Sequence, residues 1–235
     1  MELREKSKVE QMFNTIAWRY DFLNHFLSLG IDVWWRKRAV TRLPENGNGN
    51  LLDVAVGTAD FTISLLKNAR AARITGIDIS DEMMTIGRAK IARAGFADKT
   101  ELFNGDCEAL PFAGRTFDTV TVSFGIRNFQ HPRKALSEMH RVLKGGGQLL
   151  VLELSRSKNR VVRWLFELYF CYILPLIGRL ISRGSKGAYS YLPESVRTFV
   201  GGEEFAGWMT DAGFDQVEYR PMTFGIVTIY IGTKK

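Results

Sequence analysis

From residue 50 to residue 154 the chain alternates short apolar, β-branched runs with stretches of helical periodicity, and no other feature restricts its fold as strongly. "NLLDVAV" precedes a helix near 59–68 and "RITGIDIS" one near 81–93. "TELFNGD" and "TFDTVTVSF" then lead to a helix near 132–143, and "GQLLVLEL" closes the series. Alternation of this kind builds βαβ units, so it predicts a mostly parallel sheet with helices on both faces. Beyond it lie a helix near 202–212, in "EEFAGWMTDAG" with Gly213 at its end, and strands near "FDQVEYR" and "GIVTIYIG". Only a few residues around Pro221 separate those strands, which predicts antiparallel pairing. The expectation is an α/β fold of seven strands with an antiparallel C-terminal strand.

Upstream, Phe13, Ile16, Ala17 and Tyr20 recur at i, i+3, i+4 and i+7, one face of a helix that belongs to no βαβ unit. It is expected to lie across the carboxyl edge of the sheet. With 235 residues, 46% of them hydrophobic, the chain can fill one full core, which excludes a disordered or repetitive protein. One domain over 1–235 is expected: a helical cap at 1–45, a ligand-binding core at 50–155, an apolar basic segment at 156–200 and a helix with a strand pair at 201–235. Cys107 and Cys171 lie far apart, and the start "MELREKSKVEQ" has no apolar h-region. Neither a disulfide framework nor a secretory signal is indicated, and a reducing cytosol fits. His25, His131 and His140 form no metal-ligand spacing with the cysteines, so no metal is expected.

The net charge of +7 suggests nucleic acid only until its location is read. Residues 156–186 hold Arg156, Lys158, Arg160, Arg163, Arg179, Arg183 and Lys186 against Glu167, which is six of those seven charges. The same stretch contains "VVRWLFELYFCYILPLIGRLI", the most apolar segment of the chain. Basic residues around aromatic and aliphatic bulk suit a lipid surface better than a groove that tracks phosphates, so no nucleic acid partner is expected. The segment cannot span a bilayer. Its uncharged run between Glu167 and Arg179 is 11 residues long and contains Pro175, whereas a spanning helix needs about 20. A core helix, a lid over the site, and a helix pair resting on a membrane stay open.

In an open parallel sheet, ligands bind beyond the carboxyl ends of the strands where strand order reverses. The first strand runs into "DVAVGTAD", the second ends at Asp78 in "GIDIS", and the third ends near Asp106 in "NGDCEALPF". Asp78 can accept from both hydroxyls of a ribose, each charge-assisted bond contributing roughly 1.5 to 3 kcal/mol. Asp106 can accept from an adenine amino group while the Cys107 N–H faces the ring. A hydride-transfer enzyme would need G-x-G-x-x-G to pack against a pyrophosphate, and Val56 and Ala59 stand in this turn. Asp53, Asp78 and Asp106, at three successive strand ends, suit an adenosine without phosphates, with Gly57 and Thr58 meeting the remainder of the ligand. On these residues alone, Asp53 and Asp78 as local caps and Asp106 as an ordinary loop residue stay open.

The stretch 53–62, "GIDIS", "GDCEALPF" and "FDTVTVSFGIRN" together resemble the class I S-adenosylmethionine-dependent methyltransferases, with their Rossmann-like fold. More closely, "YDFLNHFLSLGIDVWWR" (20–36), "RVLKGGGQLLVLELS" (141–155), "SFGIRN" and "YSYLPESVRTF" (189–199) resemble the ubiquinone and menaquinone biosynthesis C-methyltransferases, over nearly the whole chain. The resemblance implies S-adenosylmethionine bound through Thr58, Asp78, Asp106 with Cys107, and Ser123. It implies C-methylation of a prenylated quinol, either demethylmenaquinol or a benzoquinol. Two departures stand out: the turn "AVGTAD" is poorer in glycine than the family's, and Cys107 stands where alanine is common.

A ring carbon attacks a sulfonium methyl only when ionisation of a neighbouring hydroxyl pushes electron density onto it. Arg127 and Asn128, just past the fourth strand, are the candidates for stabilising and orienting that aryloxide. Tyr20, Asn24, Tyr189 and Tyr191 are candidates for the pocket wall. Because the acceptor's tail lies in a bilayer, peripheral contact with an anionic membrane surface is expected, at the inner face of the cell membrane, and a homodimer stays open. Two rival readings are a methyltransferase for RNA or a soluble molecule, and an adaptor that kept the fold without catalysis. The first lacks the Pro-Pro-aromatic signature of amino-group methylation after the fourth strand, where "SFGIRN" stands instead.

Overall fold

The computed structural model describes residues 5–44, 49–68, 70–169 and 186–235. Two helices, α1 (Lys6–Leu27) and α2 (Ile31–Val40), precede the sheet and are joined by a tight turn in which Gly30 takes a left-handed φ of 76°. There follow β1 (Asn50–Val54), α3 (Asp60–Lys67), β2 (Arg73–Asp78), α4 (Asp81–Arg93), β3 (Thr100–Asn104), β4 (Phe117–Ser123), α5 (Pro132–Val142) and β5 (Leu143–Leu154). The chain then runs through α6 (Arg160–Leu168), α7 (Lys186–Thr198), α8 (Glu203–Asp211), β6 (Asp215–Met222) and β7 (Val227–Thr233).

The seven strands form one sheet in the order β3-β2-β1-β4-β5-β7-β6, with β7 antiparallel to both its neighbours. Local chemistry sets the helix starts: Ser80 caps α4 by accepting from the Met83 N–H, and Pro132 opens α5. The central strands are buried on both faces, as doubly covered strands must be. On one face Val120 and Val122 pack with Leu136 and Met139 of α5 and Phe205 of α8. On the other, Leu51 and Leu150 pack with Trp35 and Ala39 of α2 and Leu65 of α3. Strand order reverses between β1 and β4, so their carboxyl ends splay open and leave room for a ligand.

One expectation changes. Pro221 lies inside β6, paired with Thr228, and the link between the strands is the short turn at 223–226. Proline is tolerated there because β6 is the sheet's outermost strand and its free side needs no N–H. Of the apolar basic segment, residues 170–185 lie outside the described residues. Among the described residues no helix is long and apolar enough to cross a membrane.

Candidate active site

The loop after β1 adopts the conformation of a glycine-rich turn with a single glycine. Ala55, Gly57 and Ala59 have φ of 55°, 52° and 64°, a region that costs alanine roughly 1–2 kcal/mol per residue. Backbone bonds hold it: Val56 N–H donates to Ile77 O at 3.1 Å and Ala59 N–H to Val56 O at 2.9 Å. The glycines missing from the loop stand opposite it. A Cβ on Gly125 would lie 2.6 Å from that of Ala55, and a Cβ on Gly87 would lie 3.1 Å from Gly57 O and 3.3 Å from the Ala59 Cβ. Facing glycines thus leave room for the methyls of the two alanines.

Around this loop the acids take different stations. The buried Asp53 accepts from Thr62 Oγ1 at 2.6 Å and Thr121 Oγ1 at 2.8 Å, tying β1 to α3 and β4. Burial pushes its carboxyl up to about 6 against the pull of those hydroxyls. Asp78 accepts from the Gly57 N–H at 2.8 Å and the Ser80 N–H at 2.9 Å, and burial lifts it above the ordinary carboxylate value. Burial would lift Asp106 as well, but the Lys6 ammonium at 2.6 Å and the Glu108 N–H outweigh it and hold the group low.

Helix α1 crosses the carboxyl ends of β3, β2 and β1 in turn and is latched at each. Lys6 pairs with Asp106 and Glu108, Asn14 accepts from Ser80 Oγ at 2.6 Å, and Asp21 accepts from Thr58 Oγ1 and from Lys90. Beneath it lies a cavity of about 80 Å³ lined by Gly57, Asp78, Asp106, Cys107, Ser123 and Asn128. A smaller one of about 40 Å³, walled by Asp53, Thr58 and Ser123, adjoins it. The Ser123 hydroxyl is buried without a hydrogen-bond partner. An adenosine ligand fits these residues: carboxylates at two strand ends can take ribose hydroxyls and a base amine, and the orphaned hydroxyl can be satisfied.

A third cavity, of about 420 Å³ and mostly apolar, lies under the α1–α2 turn, α6 and the 223–226 turn. Tyr20 and Phe124 line all three cavities and so form the partition between them. Tyr20 is half-buried between the cavities, and desolvation raises its phenol. Asn24 and Arg127 face the large cavity, whereas Asn128 faces the cavity beneath α1 and accepts from Tyr191 Oη at 3.1 Å. The backbone of Tyr189 lies in α7; its side chain lies outside the described residues.

Arg127 is held by a partner the sequence did not reveal. Its Nη1 donates to Glu153 Oε1 at 2.7 Å and to Phe124 O at 2.5 Å, and its backbone N–H donates to Glu153 Oε2 at 3.2 Å. Burial alone would weaken the guanidinium, but the Glu153 carboxylate outweighs it and keeps Arg127 charged. The Arg127 Nε is buried and unpartnered. Glu153 could have been found from a lone acid in the otherwise apolar "LLVLEL". Lys6, Asn14 and Asp21 carried no such signal.

The model of the ubiE/COQ5 methyltransferase family matches residues 1–234. A demethylmenaquinone methyltransferase of Bacteroides fragilis is 43% identical over 98% of this chain and 94% of its own length. A ubiquinone/menaquinone biosynthesis C-methyltransferase UbiE of a Geobacter species is 45% identical over 99% of both. Among solved structures, a SAM-dependent methyltransferase of Thermotoga maritima superposes with a TM-score of 0.69 at 20% identity, covering 97% of this chain and 100% of that one. The [4+2]-cyclase SpnF does so with 0.71 at 16%, covering 97% and 95%. Likeness at that distance establishes the fold and leaves the chemistry to the site. On the family match and the near full-length relatives, the chain belongs to the ubiE/COQ5 methyltransferase family.

Proposed function

We propose that this chain methylates a ring carbon of a prenylated quinol, with demethylmenaquinol as the acceptor. The observation that carries this reading is the large apolar cavity meeting the cofactor cavity across Tyr20 and Phe124, with a buried, charged arginine in its wall. The names of the relatives support the same acceptor class, and the Bacteroides enzyme's name supports the naphthoquinol in particular.

Gly57, Thr58, Asp78, Asp106 with Cys107, and Ser123 would hold S-adenosylmethionine, which when bound would supply an electrophilic methyl on sulfur. Asp53 acts behind them by fixing the strand end. In the large cavity the Arg127 guanidinium favours an aryloxide over the phenol, which places electron density on the ring carbon. Glu153 keeps Arg127 protonated, so the hydroxyl's proton leaves to water and not to the guanidinium. Tyr20 and Phe124 set the approach, and Asn128, steadied by Tyr191, acts from the cofactor side. Such alignment supplies roughly 7 to 11 kcal/mol of a barrier. An acceptor with a lipid tail supports a reading in which the enzyme works at the inner face of the cell membrane.

The test is a methyl-transfer assay with purified protein, S-adenosylmethionine and each of two acceptors, reduced demethylmenaquinone and the corresponding demethylated benzoquinol, with products identified by mass. Methylated naphthoquinol as the main product supports the reading. Preference for the benzoquinol moves the acceptor to that class, and saturable cofactor binding without transfer to either removes the quinol altogether.

A further inference from the structure

The described surface carries a set of exposed apolar side chains too large to be incidental. On α1, Trp18, Phe22 and Phe26 recur at i, i+4 and i+8, with Phe22 stacked on Phe26, and the row runs on to Leu29 at the turn. On α2, Ile31 and Trp34 continue it. On α6, Val161, Trp164, Leu165 and Leu168 follow at i, i+3, i+4 and i+7. Tyr169 Oη donates to Leu27 O at 3.1 Å, so the end of α6 abuts the end of α1. Phe224, on the 223–226 turn, completes the set; it is 79% exposed, and Leu29 is 80% exposed. A soluble monomer rarely leaves so much contiguous apolar surface bare unless something binds there.

Part of this set reaches the large cavity. Leu29, Ile31, Leu165 and Phe224 are both exposed and part of its lining. The cavity therefore opens onto this face. A knot of polar contacts stiffens the turn that presents it: Asp32 accepts from Ser28 Oγ at 2.6 Å and from Arg36 at 2.5 Å, and bonds His25 Nδ1 at 2.7 Å. The edge of the face is basic. Arg19 sits over Trp18 at 3.9 Å and Arg38 over Trp34 at 5.6 Å, while Arg160 and Arg163 precede Trp164 in the first turn of α6.

We infer that this face, formed by α1, α2, α6 and the turn at Phe224, is a docking surface for an anionic lipid bilayer, and that the acceptor enters the cavity sideways from the membrane through the gap between Leu29, Leu165 and Phe224. Tryptophans with arginines beside them match the boundary between acyl chains and headgroups, where aromatic rings settle and basic groups meet lipid phosphate. Basic residues contribute about 1 kcal/mol each at such a surface. The occupant is a bilayer: arginines beside the tryptophans suit lipid phosphate at the level where the rings settle. Anchoring is thereby assigned to the N-terminal helices as much as to the apolar segment after β5. The sideways entry rests on the acceptor being prenylated; the docking does not.

The test uses the full chain and a variant carrying Trp18→Ser, Trp34→Ser and Trp164→Ser, none of which lines the three cavities described above. Each is floated with vesicles of phosphatidylglycerol and phosphatidylcholine in equal parts, or of phosphatidylcholine alone. Each is also assayed with a tail-less demethylnaphthoquinol in solution and with a long-tailed one in vesicles. Expected are salt-sensitive binding of the parent to the anionic vesicles, a loss of roughly tenfold or more in the variant, equal turnover of the tail-less acceptor, and a matching loss with the tailed one. A parent that stays with the soluble fraction, a variant that floats as well as the parent, or equal binding to neutral vesicles overturns the proposal. So does a parent that sediments as a dimer which the variant loses. If the parent floats but methylates neither acceptor, the docking stands and the acceptor reading falls.

Discussion

The two halves of the carboxyl edge are built on opposite principles. Over β1, β2 and β3 the site is small and fastened, its acids Asp53, Asp78 and Asp106 each satisfied by named donors and α1 latched across them. Between the α1–α2 turn, α6 and the 223–226 turn it is apolar, five times larger and open to an exposed aromatic face. The difference follows from what each half must hold. A nucleoside is recognised by hydrogen bonds whose worth depends on fixed geometry, which central strands provide. A prenylated ring is recognised by burial, which is non-directional, and segments outside the βαβ series suffice. Beside the buried Asp32–Arg36 pair, Arg127 is the exception, a charge set in the apolar half and held there by Glu153.

That exception offers the strongest way to break the comparison. Glu153→Ala leaves the Arg127 guanidinium buried and uncompensated, which costs about 3–5 kcal/mol, read by urea unfolding. Glu153→Gln keeps the shape and an acceptor oxygen, and should lose clearly less. Equal losses would mean that the carboxylate's charge is not what holds Arg127. Arg127→Ala acts on chemistry instead. Turnover should fall by about 100- to 1,000-fold while the calorimetric affinity for S-adenosylmethionine stays near that of the parent. A parallel loss of both would merge the two halves into one site and end the division of labour.

These two side chains also mark where sequence stopped being sufficient. The strands were legible because each apolar run is local, and Asp78 and Asp106 because strand ends are predictable points in this topology. Glu153 stood in plain view in "LLVLEL", but its partner lies 26 residues away across a strand pairing. Lys6 and Asp106 are 100 residues apart, and nothing in either segment points to the other. On α1 the spacing of Phe13, Ile16, Ala17 and Tyr20 marks in the sequence the helical face that lies across the sheet edge. The row of Trp18, Phe22 and Phe26 has no such signal, because an outward apolar face contradicts the usual pattern for a water-soluble helix.

The polar half predicts an unusual pH dependence. Asp53 titrates near 3.8 when unexposed to the fold and is pushed up to about 6 within it. The folded chain thus holds this proton more tightly than the unfolded one. The associated stability is complete below about pH 4 and is lost as pH rises through about 6. A displacement of about two units corresponds to on the order of 3 kcal/mol. Asp78, also raised by burial, acts in the same direction. Urea unfolding between acid and neutral pH should show stability falling more gently in Asp53→Asn than in the parent. An unchanged slope would assign the effect to Asp78 instead.

The smallest effect concerns the loop itself, and a swap of one methyl group tests whether its glycine has been moved across a contact. Gly125→Ala brings a Cβ to 2.6 Å from that of Ala55, so one of two backbone segments must yield, at about 1–3 kcal/mol. Gly125 has φ of −107°, which alanine adopts without strain, so the steric contact is the whole cost. Ala55→Gly removes the opposing methyl and frees a residue held at φ of 55°, and should be neutral or stabilising by about 1 kcal/mol. The double variant should recover most of the loss, a coupling of about 1 kcal/mol or more between residues in direct contact. Additive losses would mean that the two sites do not compensate each other. Recovery would explain why a loop carrying alanine at two of three left-handed positions still closes the cofactor side: the backbone conformation is kept, and the space it needs is supplied by the segment after β4.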